Sequence, residues 1–188
     1  MKLLEEKILK TLAMGVRPDL EDFLSRRIEP EIVSSVADDF EETFQKSDVT
    51  VVLTAEPAGI VIAYETAKRF GVPMVFARKR KVQVAYAAPV NSKTDTTLYL
   101  PKQYLKKNDR VLIVDDCIGM GGITQALIEL VRQSGAELVG VGVALERAYL
   151  GAGQKLRERK IRFRAVVSIA SDDGALGIEM EKQGKRRI

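Results

Sequence analysis

Two adjacent carboxylates and a cluster of glycines stand close together near the middle of the chain. Residues 111–124 read Val-Leu-Ile-Val-Asp-Asp-Cys-Ile-Gly-Met-Gly-Gly-Ile-Thr. The glycines let the backbone curl and turn several amide protons toward one point, which favours phosphate where a helix begins directly afterwards. Asp115 and Asp116 would repel a phosphate, but they can accept hydrogen bonds from a sugar diol or hold Mg²⁺, directly or through water. The segment therefore predicts a sugar-phosphate site.

Other interpretations of this segment are weaker. A glycine-rich turn between strand and helix, capped by Asp116, needs no ligand, but two carboxylates directly after a buried strand are then costly. The glycine spacing does not match the G-x-G-x-x-G pattern of dinucleotide sites, and no Gly-Lys-Ser/Thr of a Walker loop occurs.

Two further turns follow apolar runs. Residues 56–60, Glu-Pro-Ala-Gly-Ile, form the first, which we name the Glu56 turn, and residues 78–81, Arg-Lys-Arg-Lys, form the basic turn. A Pro-Ala-Gly turn needs no ligand on its own. Four adjacent cations repel one another unless an anion lies nearby, although a solvated basic turn is the alternative.

The elements that position these turns follow from the apolar pattern. Short apolar runs predict buried strands over residues 49–54, 73–77, 110–114, 138–145 and 161–168. Helical spacing predicts helices over residues 3–12, 30–44, 60–70 and 123–133. Residues 82–100 suit a hairpin whose returning strand covers residues 96–100.

Alternating strands and helices predict an α/β fold with a doubly wound, mainly parallel sheet. In such a sheet the three turns lie at the carboxyl ends of the strands, where ligands bind. We expect a single domain over residues 1–188. Its core would cover about residues 45–148, and a small hood would come from about residues 1–30 and 149–182.

Composition narrows the chemistry. The chain has no histidine and one cysteine, Cys117, which excludes Ser-His and Cys-His nucleophiles, histidine metal sites and an internal disulfide. Any metal must therefore bind oxygen, which favours Mg²⁺. A lone thiol fits a reducing cytoplasm, and no apolar run predicts a membrane span. The net charge of +4 is too mild to indicate nucleic acid.

Residues 111–124 resemble the phosphoribosyl pyrophosphate signature of type I phosphoribosyltransferases, which has an apolar strand, two acidic residues, two apolar residues and Ala-Thr-Gly-Gly-Thr. The resemblance implies that Asp115 and Asp116 hold the ribose hydroxyls. It also implies that the following turn, which we name the glycine turn, wraps the 5′-phosphate through Gly119, Met120, Gly121, Gly122, Ile123 and Thr124. Met120 and Ile123 stand where threonines are common, so two hydroxyls are missing while the backbone amides remain.

The other turns resemble the pyrophosphate-binding parts of the purine-using members of this family. The amides of Ala58, Gly59 and Ile60 would contact pyrophosphate, and the implied pyrophosphate site also includes Glu56 and Pro57. In the basic turn, Lys79 would be catalytic and Arg78 and Lys81 would bind the leaving pyrophosphate. The family also carries a flexible catalytic loop that excludes water, for which the candidates are Tyr86, Ser92 and Lys93. An ordinary exposed hairpin explains these three residues nearly as well.

The chain ends resemble the base-binding hood of bacterial xanthine phosphoribosyltransferases. Residues 22–30, 144–148 and 168–178 carry this resemblance, with Ser25 where that family has asparagine. It places Ser25, Glu146 and Arg147 at the base pocket. Arg147 could donate to a purine oxo group, which favours xanthine or hypoxanthine over adenine. Alternatively, Glu146 and Arg147 form a surface ion pair.

The resemblance implies a purine phosphoribosyltransferase of purine salvage that uses phosphoribosyl pyrophosphate and Mg²⁺ and forms a homodimer. Two alternatives stay open. The altered glycine turn would suit a transcriptional regulator that senses phosphoribosyl pyrophosphate, although no separate helix-turn-helix domain fits before Val49. A transferase of orotate or uracil is disfavoured by the hood. The basic run at residues 182–187 is most simply a solvated tail, so nucleic acid is not an expected partner.

Overall fold

The computed structural model describes residues 3–13, 24, 26–91 and 95–171. Its helices are α1 (Leu3–Ala13), α2 (Pro30–Phe44), α3 (Ile60–Phe70), α4 (Gly122–Ser134) and α5 (Ala152–Glu158). Its strands are β1 (Val51–Ala55), β2 (Met74–Ala77), β3 (Ala85–Pro89), β4 (Thr97–Pro101), β5 (Arg110–Ile118), β6 (Glu137–Arg147) and β7 (Phe163–Ile169).

The strands form one parallel sheet and one hairpin. The sheet has five strands in the order β2-β1-β5-β6-β7, and β3 pairs with β4 in antiparallel fashion. The predicted α/β fold with a mainly parallel sheet is therefore confirmed. Every residue of β1 is buried, as expected for a strand covered on both faces.

Two apolar clusters cover the two faces of this sheet. One contains residues of α1, α2 and α3, including Phe40 and Ile62. The other contains residues of α4, α5 and the hairpin, including Leu127, Leu156 and Leu98. Both clusters include alternate residues of β5, which holds that strand rigidly at the centre of the molecule.

The hairpin is attached to the rest of the fold at both of its strands. On the β4 side, the backbones of Arg78 and Tyr99 exchange hydrogen bonds of 3.0 and 2.7 Å, which joins the hairpin to the end of β2. On the β3 side, the Gln133 amide of α4 binds the backbone N–H and carbonyl of Ala87, at 3.2 and 2.9 Å. The hairpin therefore has a fixed base.

The structure departs from the predicted elements in two places. β5 does not end at Val114 but continues to Ile118, because β6 pairs with it as far as Glu146. Helix α5 was not predicted. The strand predicted over residues 161–168 is confirmed as β7 of the main sheet, and the division into core and hood stays a prediction. Among the described residues, no helix is long and apolar enough to cross a membrane.

Candidate active site

The two carboxylates lie on β5, near its carboxyl end. Asp115 and Asp116 are only 7% and 8% exposed, and the Asp116 amide donates to Asp115 Oδ1 at 3.0 Å. Burial, followed by the neighbouring charge of Asp116, raises the pKa of Asp115 well above its usual value. Two buried adjacent carboxylates are unfavourable unless a ligand supplies hydrogen-bond donors or positive charge. The pair is therefore suited to a sugar diol or a cation.

The glycine turn follows directly and leads into α4. Gly121 has a φ of 82°, in the left-handed region, and α4 begins at the next residue. The backbone amides in the first turn of a helix have no partners within the helix and attract anions. The turn lines a cavity of about 640 Å³ together with Val90, Asn91, Cys117 and Ile118. Thr124 is buried there, whereas Met120 is 83% exposed.

Neighbouring segments press closely on the glycine turn. A β carbon built at Gly121 would lie 2.8 Å from the Cβ of Ala152, the first residue of α5. One built at Gly122 would lie 2.7 Å from the carbonyl oxygen of Val90, at the end of the hairpin. The turn is thus held between the hairpin and α5, and these two positions have no room for a side chain.

The Glu56 turn contacts the carboxylates. A β carbon at Gly59 would lie 2.2 Å from Thr54 Oγ1 and 2.5 Å from Asp115 Oδ1. The Thr54 hydroxyl is fully buried and has no hydrogen-bond partner among the described residues. The peptide bond before Pro57 is cis. The structure thus brings two of the three predicted turns together at the end of β1 and β5.

Two backbone amides of the Glu56 turn already donate within the protein. Glu56 N–H donates to the Ala77 carbonyl at 3.1 Å, and Ile60 N–H donates a long bond of 3.4 Å to the Pro57 carbonyl. A contact of either amide with pyrophosphate competes with these bonds, whereas the predicted contacts of Ala58 and Gly59 are unchanged.

The basic turn is exposed, and its first residue contacts the Glu56 turn. Arg78 forms an ion pair with Glu56, with Nε and Oε2 3.2 Å apart, and its guanidinium stacks 4.8 Å from the centre of the Phe76 ring. This pair links the basic turn to the Glu56 turn. Lys79 and Lys81 are exposed. Lys81 also lines a second cavity of about 550 Å³, which lies against β2 and β4 and includes Tyr104.

Of the predicted loop residues, only Tyr86 is described. It lies in β3, half-buried, and its hydroxyl donates to the Leu105 carbonyl at 3.4 Å. The predicted hairpin is confirmed, and a catalytic role for Tyr86 stays a prediction. Ser92 and Lys93 lie outside the described residues, as does Ser25 of the expected base pocket.

The predicted acceptor residues lie at the carboxyl end of β6. Glu146 is buried, and its oxygens accept bonds from Arg157 Nη1 and Nη2, both at 3.0 Å, and from Ser168 Oγ at 2.7 Å. The alternative of a surface ion pair with Arg147 was therefore wrong for Glu146. Arg147 is half-buried at the last position of the strand.

Sequence reasoning missed Thr54, Arg157 and Ser168. Thr54 is a polar residue at the end of an apolar run beside a turn, which is a weak signal that could have been used. Arg157 lies on α5, an element that the pattern did not indicate.

The residues present fit a magnesium ion. Carboxylate oxygens are the ligands that Mg²⁺ prefers, and Asp115 and Asp116 lie buried side by side, where a cation would offset the cost of their charges. Among the described residues, no group of three or more histidine, cysteine or acidic side chains could hold a metal. Such an ion would therefore need further oxygen ligands from a bound substrate. Mg²⁺ is commonly held in this way, by one or two carboxylates together with substrate phosphates.

Comparison with known proteins gives a consistent result. Residues 27–173 match the phosphoribosyl transferase domain family. A xanthine phosphoribosyltransferase of Bacillus cytotoxicus is 37% identical over 187 residues, 94% of each chain, and one of Bacillus mycoides is 35% identical over 183 residues, 92% of each chain.

Among solved structures, an adenine phosphoribosyltransferase of Rhodothermus marinus superposes with a TM-score of 0.68 at 26% identity, covering 87% of this chain and 99% of that one. The adenine enzyme of Giardia lamblia, complexed with 9-deazaadenine, gives a TM-score of 0.70 at 24% identity, covering 81% and 86% of the two chains. The similarity to the Giardia lamblia enzyme shows only that the two chains share a fold.

Proposed function

Because the chain belongs to the phosphoribosyl transferase domain family and is a phosphoribosyltransferase, we propose that it transfers the phosphoribosyl group of phosphoribosyl pyrophosphate to an oxopurine. The observation that carries this proposal is the buried carboxylate pair directly before an amide-lined glycine turn. Together they offer phosphate donors and diol acceptors on consecutive residues, which matches a ribose 5-phosphate.

The chain's own residues have separate tasks in binding the donor. The backbone of the glycine turn binds the 5′-phosphate, and Asp115 and Asp116 accept hydrogen bonds from the ribose hydroxyls. The Glu56 turn lies against Asp115, and with Lys79 and Arg78 of the basic turn it receives the pyrophosphate. The arrangement stretches the donor across the ends of β1 and β5, with its reacting carbon near the carboxylates.

In the reaction a purine nitrogen forms a bond to C1 of the ribose while the bond from C1 to the pyrophosphate oxygen breaks. The imidazole-ring proton of the purine passes to the departing pyrophosphate or to water. Positive charge develops on the ribose, and the buried carboxylates stabilise it in a site where electrostatic interactions are strong. Cations of the basic turn stabilise the departing pyrophosphate. Mg²⁺ held by Asp115 and Asp116, directly or through water, would supply further positive charge beside the pyrophosphate.

Water must be kept from this donor, since it would compete with the purine. The hairpin end lies directly over the glycine turn, where Val90 contacts Gly122. Ser92 and Lys93, outside the described residues, stay candidates for the catalytic loop.

An oxopurine is the acceptor that we favour. The curated relatives are xanthine phosphoribosyltransferases, and Arg147, a hydrogen-bond donor without acceptor capacity, suits an oxo group better than an amino group. Xanthine is therefore the first candidate and hypoxanthine the second. Ser25 would complete the pocket.

One panel of assays tests this function. Purified protein with Mg²⁺ and phosphoribosyl pyrophosphate is incubated with xanthine, hypoxanthine, guanine, adenine, uracil or orotate, and nucleotide and pyrophosphate are measured. We expect release with xanthine first. Turnover only with adenine, uracil or orotate would contradict the oxopurine assignment. No turnover with a salt-dependent DNA shift would instead favour the regulator.

The assembly, domain division and location are further parts of this proposal. We propose a homodimer of single-domain chains over residues 1–188 in the cytoplasm, which agrees with the lone Cys117. Val82 and Tyr104, two exposed apolar residues that line the second cavity, support a partner on the outer side of β2. Sedimentation velocity of the wild type and of Tyr104→Glu tests the dimer, since a buried carboxylate there should shift the mass to that of a monomer.

A further inference from the structure

Glu146 is a buried carboxylate whose oxygens bind other parts of the protein. Its side chain is 2% exposed, and both Nη atoms of Arg157 lie 3.0 Å from its oxygens. Ser168 on β7 donates a third hydrogen bond of 2.7 Å. A forked pair of this kind fixes the direction of both side chains as well as their distance. Glu146 therefore joins three elements: β6, β7 and α5.

Helix α5 lies directly on this carboxylate. A β carbon built at Gly153 would be 1.8 Å from Glu146 Oε1 and 2.8 Å from Cε1 of Phe163. The guanidinium of Arg157 stacks over the same Phe163 ring, 4.8 Å from its centre. Glu146 thus contacts α5 at Gly153 in its first turn and at Arg157 in its last, so the position of the whole helix depends on it.

The segment that Glu146 holds also forms one wall of the glycine turn. Leu150 Cδ1 would lie 3.2 Å from a β carbon at Gly119, and Ala152 Cβ would lie 2.8 Å from one at Gly121. On the sheet, Glu146 is the direct neighbour of Ile118, the last residue before the turn. A displacement of α5 would therefore move the glycine turn directly, through the contacts of Leu150 and Ala152 with it.

We propose that Glu146 is a positioning residue for the donor phosphate: with Arg157 and Ser168 it holds α5 against the glycine turn and so sets the shape of that turn. It does not contact the purine. This inference rests on the proposed function for the identity of the phosphate donor. Since an error of about 1 Å in a binding group lowers rates by up to about 100-fold, a small shift of α5 is enough to matter.

The molecule contains a matched control. Asp39 on α2 and Arg164 on β7 form a second forked ion pair, with distances of 2.7 and 3.0 Å and little exposure. This pair joins a helix to a strand of the main sheet, as the Glu146 pair does, but it holds α2 rather than the wall of the glycine turn. Loss of either pair should lower stability, whereas only loss of the Glu146 pair should alter donor binding.

The experiment compares Glu146→Gln with Asp39→Asn. Thermal unfolding, kcat, and the KM values for phosphoribosyl pyrophosphate and for xanthine are measured, together with calorimetric binding of ribose 5-phosphate, which needs no turnover. We expect both variants to unfold at lower temperature. Glu146→Gln should weaken ribose 5-phosphate binding and raise the donor KM by about 10-fold, while the xanthine KM changes less than about 2-fold. Asp39→Asn should leave both KM values unchanged.

Two milder variants guard against misfolding of Glu146→Gln. Ser168→Ala removes one hydrogen bond and keeps the ion pair, and Gly153→Ala pushes α5 off the carboxylate while all charges remain. Both should raise the donor KM, with the larger effect in Gly153→Ala. Restored donor affinity in Arg157→Lys relative to Arg157→Met would support the same conclusion, because lysine keeps the charge.

Three results would overturn the inference. An increase in the xanthine KM alone would place Glu146 in the base pocket. Equal loss of stability in Glu146→Gln and Asp39→Asn with unchanged donor affinity would leave it a purely structural residue. Normal donor affinity in Gly153→Ala would show that the position of α5 does not matter. Failure of the proposed function is distinguishable, since the wild type would then bind ribose 5-phosphate without forming nucleotide, or would not bind it.

Discussion

The donor end and the acceptor end of this site are built in different ways. The part of the donor end that binds ribose 5-phosphate occupies consecutive residues, 115–124, on one strand, one turn and the start of one helix. Its proposed contacts with the 5′-phosphate come from the backbone. The acceptor end depends on side chains such as Arg147, whose surroundings come from β6, β7 and α5. A site made of backbone is encoded locally and tolerates side-chain change, whereas a site made of side chains is encoded by tertiary structure.

The strongest test of the donor end removes its charges. The double variant Asp115→Asn, Asp116→Asn should lower nucleotide formation by at least about 1,000-fold while the chain stays folded, because charge stabilisation in a buried site contributes about 100-fold or more per group. Initial rates and circular dichroism measure the two effects. Glu41→Gln with Glu42→Gln changes the same charge on α2 and should keep full activity. Full activity in the Asp115, Asp116 variant would remove the basis of the assignment.

Arg147→Met should affect the acceptor end alone. A hydrogen bond from a charged donor contributes about 1.5–3 kcal/mol, which corresponds to about 10–100-fold in affinity. We therefore expect a rise of this size in the xanthine KM and an unchanged KM for phosphoribosyl pyrophosphate. Steady-state kinetics with each substrate varied in turn measures both. A rise in the donor KM would mean that the two ends are not separable in this way.

Gly122→Ala should disturb the donor end through the hairpin. The new β carbon would lie 2.7 Å from the Val90 carbonyl oxygen, so either the turn or the hairpin end must move. We expect the donor KM to rise by about 10-fold, since a displaced phosphate cradle binds less well. Gly119→Ala is the comparison, because its β carbon meets only Leu150 Cδ1 at 3.2 Å. Equal effects from both variants would count against a specific role of the Val90 contact.

Asp115→Asn alone should stabilise the protein when no substrate is bound. The fold holds the Asp115 proton more tightly than the unfolded chain does, so burial of this carboxyl costs stability as the pH rises toward neutrality. Removing the charge should raise the melting temperature by about 2–4 °C, equivalent to about 1 kcal/mol for a chain of this size. Calorimetry at neutral pH checks this, with the exposed Asp95→Asn as control. A lower melting temperature would mean that Asp115 is already compensated within the protein.

Met120→Thr should produce the smallest change. Met120 is largely exposed on the glycine turn, so the substitution meets little steric resistance and supplies a hydroxyl where related transferases commonly have one. A neutral hydrogen bond contributes about 0.5–1.5 kcal/mol, and we expect the donor KM to fall by about 3-fold. Kinetics at saturating xanthine would measure it. An unchanged donor KM would show that the backbone amides already satisfy the phosphate.

Much of the fold could be predicted because its pattern is local. The bounds of α2 and α3 agree with helical spacing that ends at Phe44 and at Gly71, the latter in the left-handed conformation that stops a helix. The carboxylates and the glycine turn were found for the same reason, since their residues are adjacent in the chain.

The remaining parts depend on contacts between distant residues. Helix α5 has few apolar positions, Ala152 and Leu156 among them, in a sequence rich in charge, so its pattern is weak. The roles of Arg157 and Ser168 follow from their bonds to Glu146, which lies more than ten residues from each along the chain. Ser168 meets Glu146 because β7 pairs with β6, and Arg157 meets it because α5 packs back on the sheet. Contacts of this kind between distant residues leave no signal in the local spacing of the sequence.

The single thiol gives the molecule an internal probe. Cys117 directly follows the carboxylate pair, is half-buried and lines the cavity of the glycine turn, and the sequence has no other cysteine or any histidine to compete for an electrophile. Alkylation would therefore place one label per chain beside the donor. The rate of that labelling would report occupancy of the cavity, without any need for turnover or for a modified protein.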